Sequence, residues 1–254
     1  PAPSNVRGRG MEYAESREYA NGDDARHIDW RLTARTGRPH TKLFQAERER
    51  LTLIVADTAP TLYFGTRTRF KSVQAARAGA IAAWTAVRDG DRIGALRGSV
   101  REAPIAPASG SRGALRVLDA MVRWYARPPE HDAGLAVALD HADRLLRPGS
   151  RLVVLSDPFC VTALPATRWP TLVQHREVIV LLLTDPLERD PPRATLPFFV
   201  QHEAVAGAAS TARRIELDLA AAAQRERWQS AFSAPLDEAT ATLARSGIRA
   251  HALS

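Results

Sequence analysis

Hydrophobic and polar positions divide the chain near residue 51. Residues 1 to 50 are polar and charged, with no helix-period stripe. From there "LTLIVAD" (51–57) is a continuous apolar run ending on Asp57, the pattern of a strand covered on both faces. "RLVVLSD" and "VIVLLLTDP" repeat it and end on Asp157 and Asp185. Between these strands, "RFKSVQAARAGAIAAWTAVRDG" predicts a helix. Its apolar positions Val73, Ala76, Ala80, Ala83, Trp84 and Val87 recur at three and four, and Gly90 stops it. "SRGALRVLDAMVRWYAR" and "DAGLAVALDHADRLLRPGS" predict two more helices, closed by prolines. "DRIGALRGSVREAPI" reads as a hairpin turning at Gly98-Ser99. Near the end come a short strand "RRIELDL", a long helix "AAAQRERWQSAFSAPLDEATATLARSG" and a last strand "IRAHALS".

Strands alternating with helices predict an α/β fold, a doubly wound and mostly parallel sheet with helices on both faces. The hairpin adds one antiparallel edge strand. The expected division is 1–48, a small charged β/loop segment, and 49–254, the α/β domain. Ligands of such sheets sit at the carboxyl ends of the strands, near a topological switch point. Three strands ending in aspartate make that edge the place to look.

Composition narrows the function. The 254 residues are 45% hydrophobic, enough for a full core, and no apolar run reaches the roughly 18 to 20 residues of a membrane helix. The single Cys160 rules out an internal disulfide and fits a reducing, cytoplasmic compartment. A first residue of Pro1 leaves any preceding leader unseen. The net charge of +7 is spread as arginine among acids, whereas a phosphate-tracking groove wants clustered charge with stacking aromatics. Nucleic acid is therefore not the expected partner. No zinc spacing, Gly-x-x-x-x-Gly-Lys loop or Gly-x-Ser-x-Gly elbow around Ser156 is present. Cys160 has no adjacent His or Lys to activate it and reads as a buried thiol. Asp185, followed by Pro186, reads as the start of a turn.

One segment carries a resemblance. "GRGMEYAESREYANGDDARHIDWRLTARTGRPHTKLF" is similar to the hallmark of domain-of-unknown-function family fifty-eight, through Arg17, Tyr19, Gly22, Asp23, Asp24, Arg26, Ile28, Asp29, Trp30 and the run Ala34 to Gly37. The resemblance implies a von Willebrand factor A-like domain working with a MoxR-type AAA+ ATPase and its client protein. It also implies a metal-ion-dependent adhesion site. Placed on this chain, that site's first acid is Asp57, its two serines fall at Ala59 and Thr61, its loop threonine at about Ala133 and its last acid at Asp157. Two hydroxyls are thus methyl groups. Mg²⁺ demands six oxygens in near-octahedral array. Asp57, Thr61, Asp157 and a contribution from Asp132 would make at most a weak Mg²⁺ or Mn²⁺ site.

Each feature has a plainer alternative. Asp57 and Asp157 could cap backbone amides at strand ends. The hallmark residues Arg17, Glu18, Asp23, Asp24, Arg26, Asp29 and Arg35 are either a partner surface or an internal ion-pair network pinning the segment to the sheet, with Trp30 and Tyr19 as packing residues. The function expected is a non-enzymatic adaptor acting with the ATPase in chaperone-like assembly. The alternatives are a divalent-metal phosphate-ester hydrolase using Asp57 and Asp157, and a nucleic-acid-binding module.

Overall fold

The chain divides into two units, residues 1–49 and 50–254. The computed structural model describes residues 11–46, 50–66, 68–128, 132–201 and 212–254, so the boundary expected at 48 and 49 lies outside the described residues. In the first unit, β1 (Met11–Glu18) and β2 (His40–Ala46) pair antiparallel around a register shift between Tyr13 and Glu15. Between them lie a 3₁₀ turn (Ala25–His27) and α1 (Trp30–Thr36), a helix that periodicity does not predict. Its seven residues bury nothing, and its ends define it. The Asp29 carboxylate accepts from the Leu32 amide, and Gly37 terminates it at φ 71°, where a side chain would be strained.

The second unit runs β3 (Leu51–Ala56), α2 (Lys71–Arg88), β4 (Arg92–Arg97), β5 (Ile105–Ala108), α3 (Gly110–Tyr125), α4 (Gly134–Leu145) and β6 (Arg151–Ser156). It continues through the short helices α5 (Pro158–Thr162) and α6 (Arg168–Val173), β7 (Glu177–Leu183), α7 (Pro186–Arg189), β8 (Thr195–Gln201), β9 (Ala212–Asp218), α8 (Ala222–Arg245) and β10 (Arg249–Leu253). Six strands form the central sheet in the order β10-β7-β6-β3-β4-β5, parallel except for the antiparallel edge β5.

Strand alternation sends Leu53, Val55, Leu152, Val154, Val180 and Leu182 to one face, against α4, α5, α6 and α8. Ile54, Ala56, Ile93, Val153 and Leu155 go to the other, against α2 and α3. Trp169 on α6 is fully buried. At the amino ends of the strands, charges interlock. Arg50 Nε meets Asp91 at 3.1 Å, Arg151 bridges Glu177 at 2.8 Å and Asp89 at 3.1 Å, and the Thr52 hydroxyl donates to Asp91 at 2.6 Å.

Three sequence expectations change. The hairpin does not turn at Gly98-Ser99, because β4 and β5 are joined by residues 98–104. Gly98 instead lies so close to the Gly134 backbone that a Cβ would stand 2.2 Å from its carbonyl oxygen. The strand at "RRIELDL" leaves the main sheet and pairs with β8, whose Pro197 masked it in the sequence. On α2 the buried stripe is Lys71, Ser72, Ala75, Ala78, Gly79, Ala83 and Ala86. Small side chains let this helix approach the sheet closely, and Val73, Ile81 and Trp84 are left exposed.

Candidate functional site

β3 sits between β4 and β6, and the chain leaves it toward β4 and later returns on the other side to β6. The crevice at the switch point therefore opens between the carboxyl ends of β3 and β6, where Asp57 and Asp157 stand. Both acids are withdrawn from solvent, at 1% and 0% exposure. Both also cap backbone: Asp57 Oδ1 accepts from the Ala59 amide at 3.0 Å, and Asp157 Oδ1 from the Phe159 amide at 2.9 Å at the start of α5.

Their remaining oxygens differ. Asp157 Oδ2 takes the Lys71 ammonium at 2.5 Å, and that ammonium also reaches Glu188 at 2.7 Å. Lys71 lies in the buried stripe of α2 at its first turn, where the helix dipole disfavours a cation. Burial alone would lower its pKa, but the charges of Asp157 and Glu188 outweigh burial and raise it. Glu188 turns its other oxygen to the Asp185 amide at 2.8 Å, and Asp185 caps Leu187, closing a capping box on α7. The turn expected at Asp185 is thus a helix start. Asp185 also accepts from the Thr66 amide at 3.0 Å, which ties in the loop before α2.

Asp57 has no such counter-charge. Its Oδ2 accepts from the Ser156 hydroxyl at 2.5 Å, and the Cys160 thiol lies against it. Burial, the largest effect, raises the Asp57 pKa against these neutral donors, and the charge of Asp132 raises it further. Asp132 caps Gly134 at 2.9 Å ahead of α4, and the Ala133 amide donates to Gly98 at 2.8 Å, which fixes that loop. Neither Asp57 nor Asp132 has a salt-bridge partner among the described residues.

Thr61, itself exposed on a 3₁₀ turn (Pro60–Tyr63), is within hydrogen-bonding reach of the Cys160 thiol. The thiol is pushed up by burial and by Asp57, so it stays protonated and is no nucleophile. Tyr63 donates to the Trp124 carbonyl at 2.7 Å, and burial together with Asp132 raises its pKa to about 12. Two buried hydroxyls in this neighbourhood, Thr58 and Tyr125, have no hydrogen-bond partner among the described residues.

A divalent ion shared between Asp57 and Asp157 does not fit this arrangement. Lys71 occupies the free oxygen of Asp157, Ala59 and Ala133 offer no oxygen from their side chains, and no three His, Cys, Asp or Glu side chains converge as a ligand set among the described residues.

The hallmark segment behaves differently. Arg17 pairs with Asp23 at 2.6 Å, Arg26 with Asp24 at 2.7 Å and Arg38 with Glu18 at 3.1 Å. Asp29 takes Ser16 at 3.1 Å, and the Tyr19 hydroxyl donates to the Asp23 carbonyl at 3.0 Å. These bonds brace the hairpin of their own unit. Trp30, expected to pack, is 70% exposed, and Arg35 is exposed without an ion pair among the described residues.

The description "Protein of unknown function DUF58" matches residues 15–235. The chain belongs to the DUF58 family. Uncharacterized proteins of Mycobacterium bovis and Mycobacterium tuberculosis are each 33% identical over 195 residues, 74% of this chain. This DUF58 chain spans 59% of the length of those relatives. Among solved structures, an aerotolerance-related membrane protein from Bacteroides fragilis aligns at 13% identity over 76% of this chain and 99% of its own, with a TM-score of 0.40. An uncharacterized membrane-spanning protein from Vibrio fischeri aligns at 11% identity over 80% and 89%, with a TM-score of 0.26. Neither likeness is close enough to bear on function. Among the described residues of this DUF58 protein, no helix is long and apolar enough to cross a membrane.

Sequence reasoning found Asp57, Asp132 and Asp157 and missed Lys71, Glu188 and Ser156. A lysine on the small-residue face of α2 was the available signal for Lys71. Glu188, three residues beyond Asp185, completes a legible capping pattern. Ser156 had none, because its role depends on β6 lying beside β3.

Proposed function

We propose that this DUF58 protein is a non-enzymatic, cytoplasmic adaptor with a von Willebrand A-like fold, acting with a MoxR-type AAA+ ATPase in chaperone-like assembly. Its contact surface is the carboxyl edge around Asp57. The observation that carries this is the contrast between the two acids. Asp157 is neutralised by Lys71, whereas Asp57 is buried against neutral donors at the sheet's switch point. A carboxylate whose pKa is raised by burial opposes folding at neutral pH, and such groups concentrate where function requires them.

In an intact adhesion site, the cation would bind a partner's carboxylate. Asp57 is 1% exposed, so the half-buried Asp132 makes the direct contact with a partner's lysine or arginine, and the charge of Asp57 behind it adds to the attraction. A hydrolase is the poorer fit, since Asp157 is engaged by Lys71 and the Cys160 thiol is held protonated. Exposed Trp30, together with Arg35, which has no ion pair among the described residues, favours the N-terminal unit as a second contact with the same ATPase.

The test is binding of the purified ATPase by calorimetry. Asp57→Asn and Asp132→Asn should each weaken binding roughly tenfold or more, while Asp57→Asn leaves the fold intact. Undiminished binding by both variants overturns the edge as the contact surface.

A further inference from the structure

β7 reads "EVIVLLL", apolar on both sides, the composition of a strand buried on both faces. One face is covered throughout, the other only at its carboxyl end, where Leu183 is buried. Val178, Val180 and Leu182 lie in the core under α6 and α8. On the opposite face Ile179 and Leu181 are only half-buried, and they alternate along the strand with fully buried neighbours. On β10, Leu253 on the same face is half-buried and His251 is exposed. α2 covers β3 and part of β6 and only touches β7, leaving a groove of about 730 Å³ floored by Val153, Ile179, Leu181 and Leu253.

α2 forms the groove's wall with Ala78, Ile81, Ala82 and Thr85, and Ile81 is 70% exposed. The residues of α2 that line the groove run from Ala78 to Arg88, so the trough extends about 15 Å at 1.5 Å per residue. Parallel strands are about 4.8 Å apart, so the two uncovered strands, β7 and β10, leave one helix diameter beside α2.

The charges decide what fits. α2 contains no acidic residue, and Arg77 and Arg88 stand on its outer side. Arg77 has no ion pair among the described residues. β10 also lacks acids and presents Arg249 and His251. The acids at the groove, Asp89 and Glu177, lie at its amino end and are already paired with arginines. The lining still carries more arginine than acid, Arg88, Arg151 and Arg249 against Asp89 and Glu177, which disfavours a second copy of the same surface.

We propose that this groove docks an amphipathic α-helix of a partner polypeptide, with an aliphatic stripe flanked on both sides by Asp or Glu. The helix lies beside α2, its stripe on Ile179, Leu181 and Ile81, its acids toward Arg77 and His251. This surface is distinct from the carboxyl edge around Asp57 and does not depend on the function proposed for it.

The test uses the full chain and fluorescence anisotropy with two synthetic 18-residue helical peptides that share a leucine stripe. One carries Glu on both flanks and the other Lys. The Glu peptide should bind at least tenfold more tightly than the Lys peptide, with affinity falling as salt rises. Ile81→Glu, at an exposed position that should still fold, should reduce its binding at least tenfold, and Arg77→Glu should narrow the preference between the peptides. Equal binding of the two peptides, or Glu-peptide binding indifferent to Ile81→Glu, overturns the proposal. So does sedimentation showing a dimer that Ile81→Glu dissolves, since the occupant would then be a second copy.

Discussion

At the carboxyl edge, Lys71 joins Asp157 and Glu188 with side-chain exposures of 3%, 0% and 7%. In the N-terminal unit, Arg26 and Asp24 make an equally short pair at 86% and 38% exposure. The residue types are alike and the consequences opposite. Removing one member of the buried set leaves charges stranded without water, whereas removing one member of the exposed pair hands its partner to solvent. Short distances and charge spacing therefore say little about which ion pairs hold the molecule together. Burial decides.

The strongest way to break the comparison is Lys71→Met. It leaves two buried carboxylates uncompensated and should cost about 3–5 kcal/mol in a denaturant titration, the usual penalty for breaking a buried pair. Adding Asp157→Asn and Glu188→Gln should recover much of the loss, because no stranded charge remains. A smaller effect, about 1–3 kcal/mol, is expected from Ser156→Ala, which takes the donor from the buried Asp57 Oδ2.

Asp57→Asn sharpens the contrast by running the other way. The raised pKa of Asp57 means that its contribution to stability is present below the unfolded value of 3.8 and is lost as pH climbs through the folded value. At pH 7 it opposes folding, so the variant should have a higher denaturation midpoint than the parent. A lower midpoint would mean that Asp57 holds the loop rather than serving a partner. Arg26→Ala should leave the midpoint unchanged within error, at low and at high salt alike.

pH separates the buried set from the rest. The Lys71 pKa is raised above 10.5, so its contribution is complete below 10.5 and disappears as pH rises through the folded value. The stability difference between parent and Lys71→Met should stay flat from pH 8 to 10 and shrink above that. A difference that does not shrink at high pH would mean that the ammonium is not what holds the set together.

Much of the sheet was legible because its strands are continuous apolar runs. Leu51 to Ala56, Arg151 to Ser156 and Glu177 to Leu183 all lie where the pattern puts them. Short elements without an apolar run of their own were harder to read. α7 is a single turn whose capping box was the one local signal, and β8 carries a proline that argues against a strand. The bulky apolar positions of α2 suggested the wrong buried face: Val73 and Trp84 are exposed, and the helix packs through small residues whose hydrophobic signal is weak. Of the candidate site, the sequence showed the acids. It could not show that Lys71 reaches Asp157 across 86 residues of chain, which is a matter of folded geometry.

The interlocked charges at the amino ends of the strands bear on how the sheet finds its alignment. Arg151 stands opposite Glu177 in register. Sliding β7 by one residue would turn Glu177 to the other face, leave Arg151 beside a valine and push Ile179 and Leu181 into the opposite layer. Because β7 is apolar on both faces, the hydrophobic pattern alone would accept that slip, and the ion pair is what rejects it. For parallel strands of continuous apolar composition, such a pair at the amino ends supplies the register information that their side-chain pattern lacks.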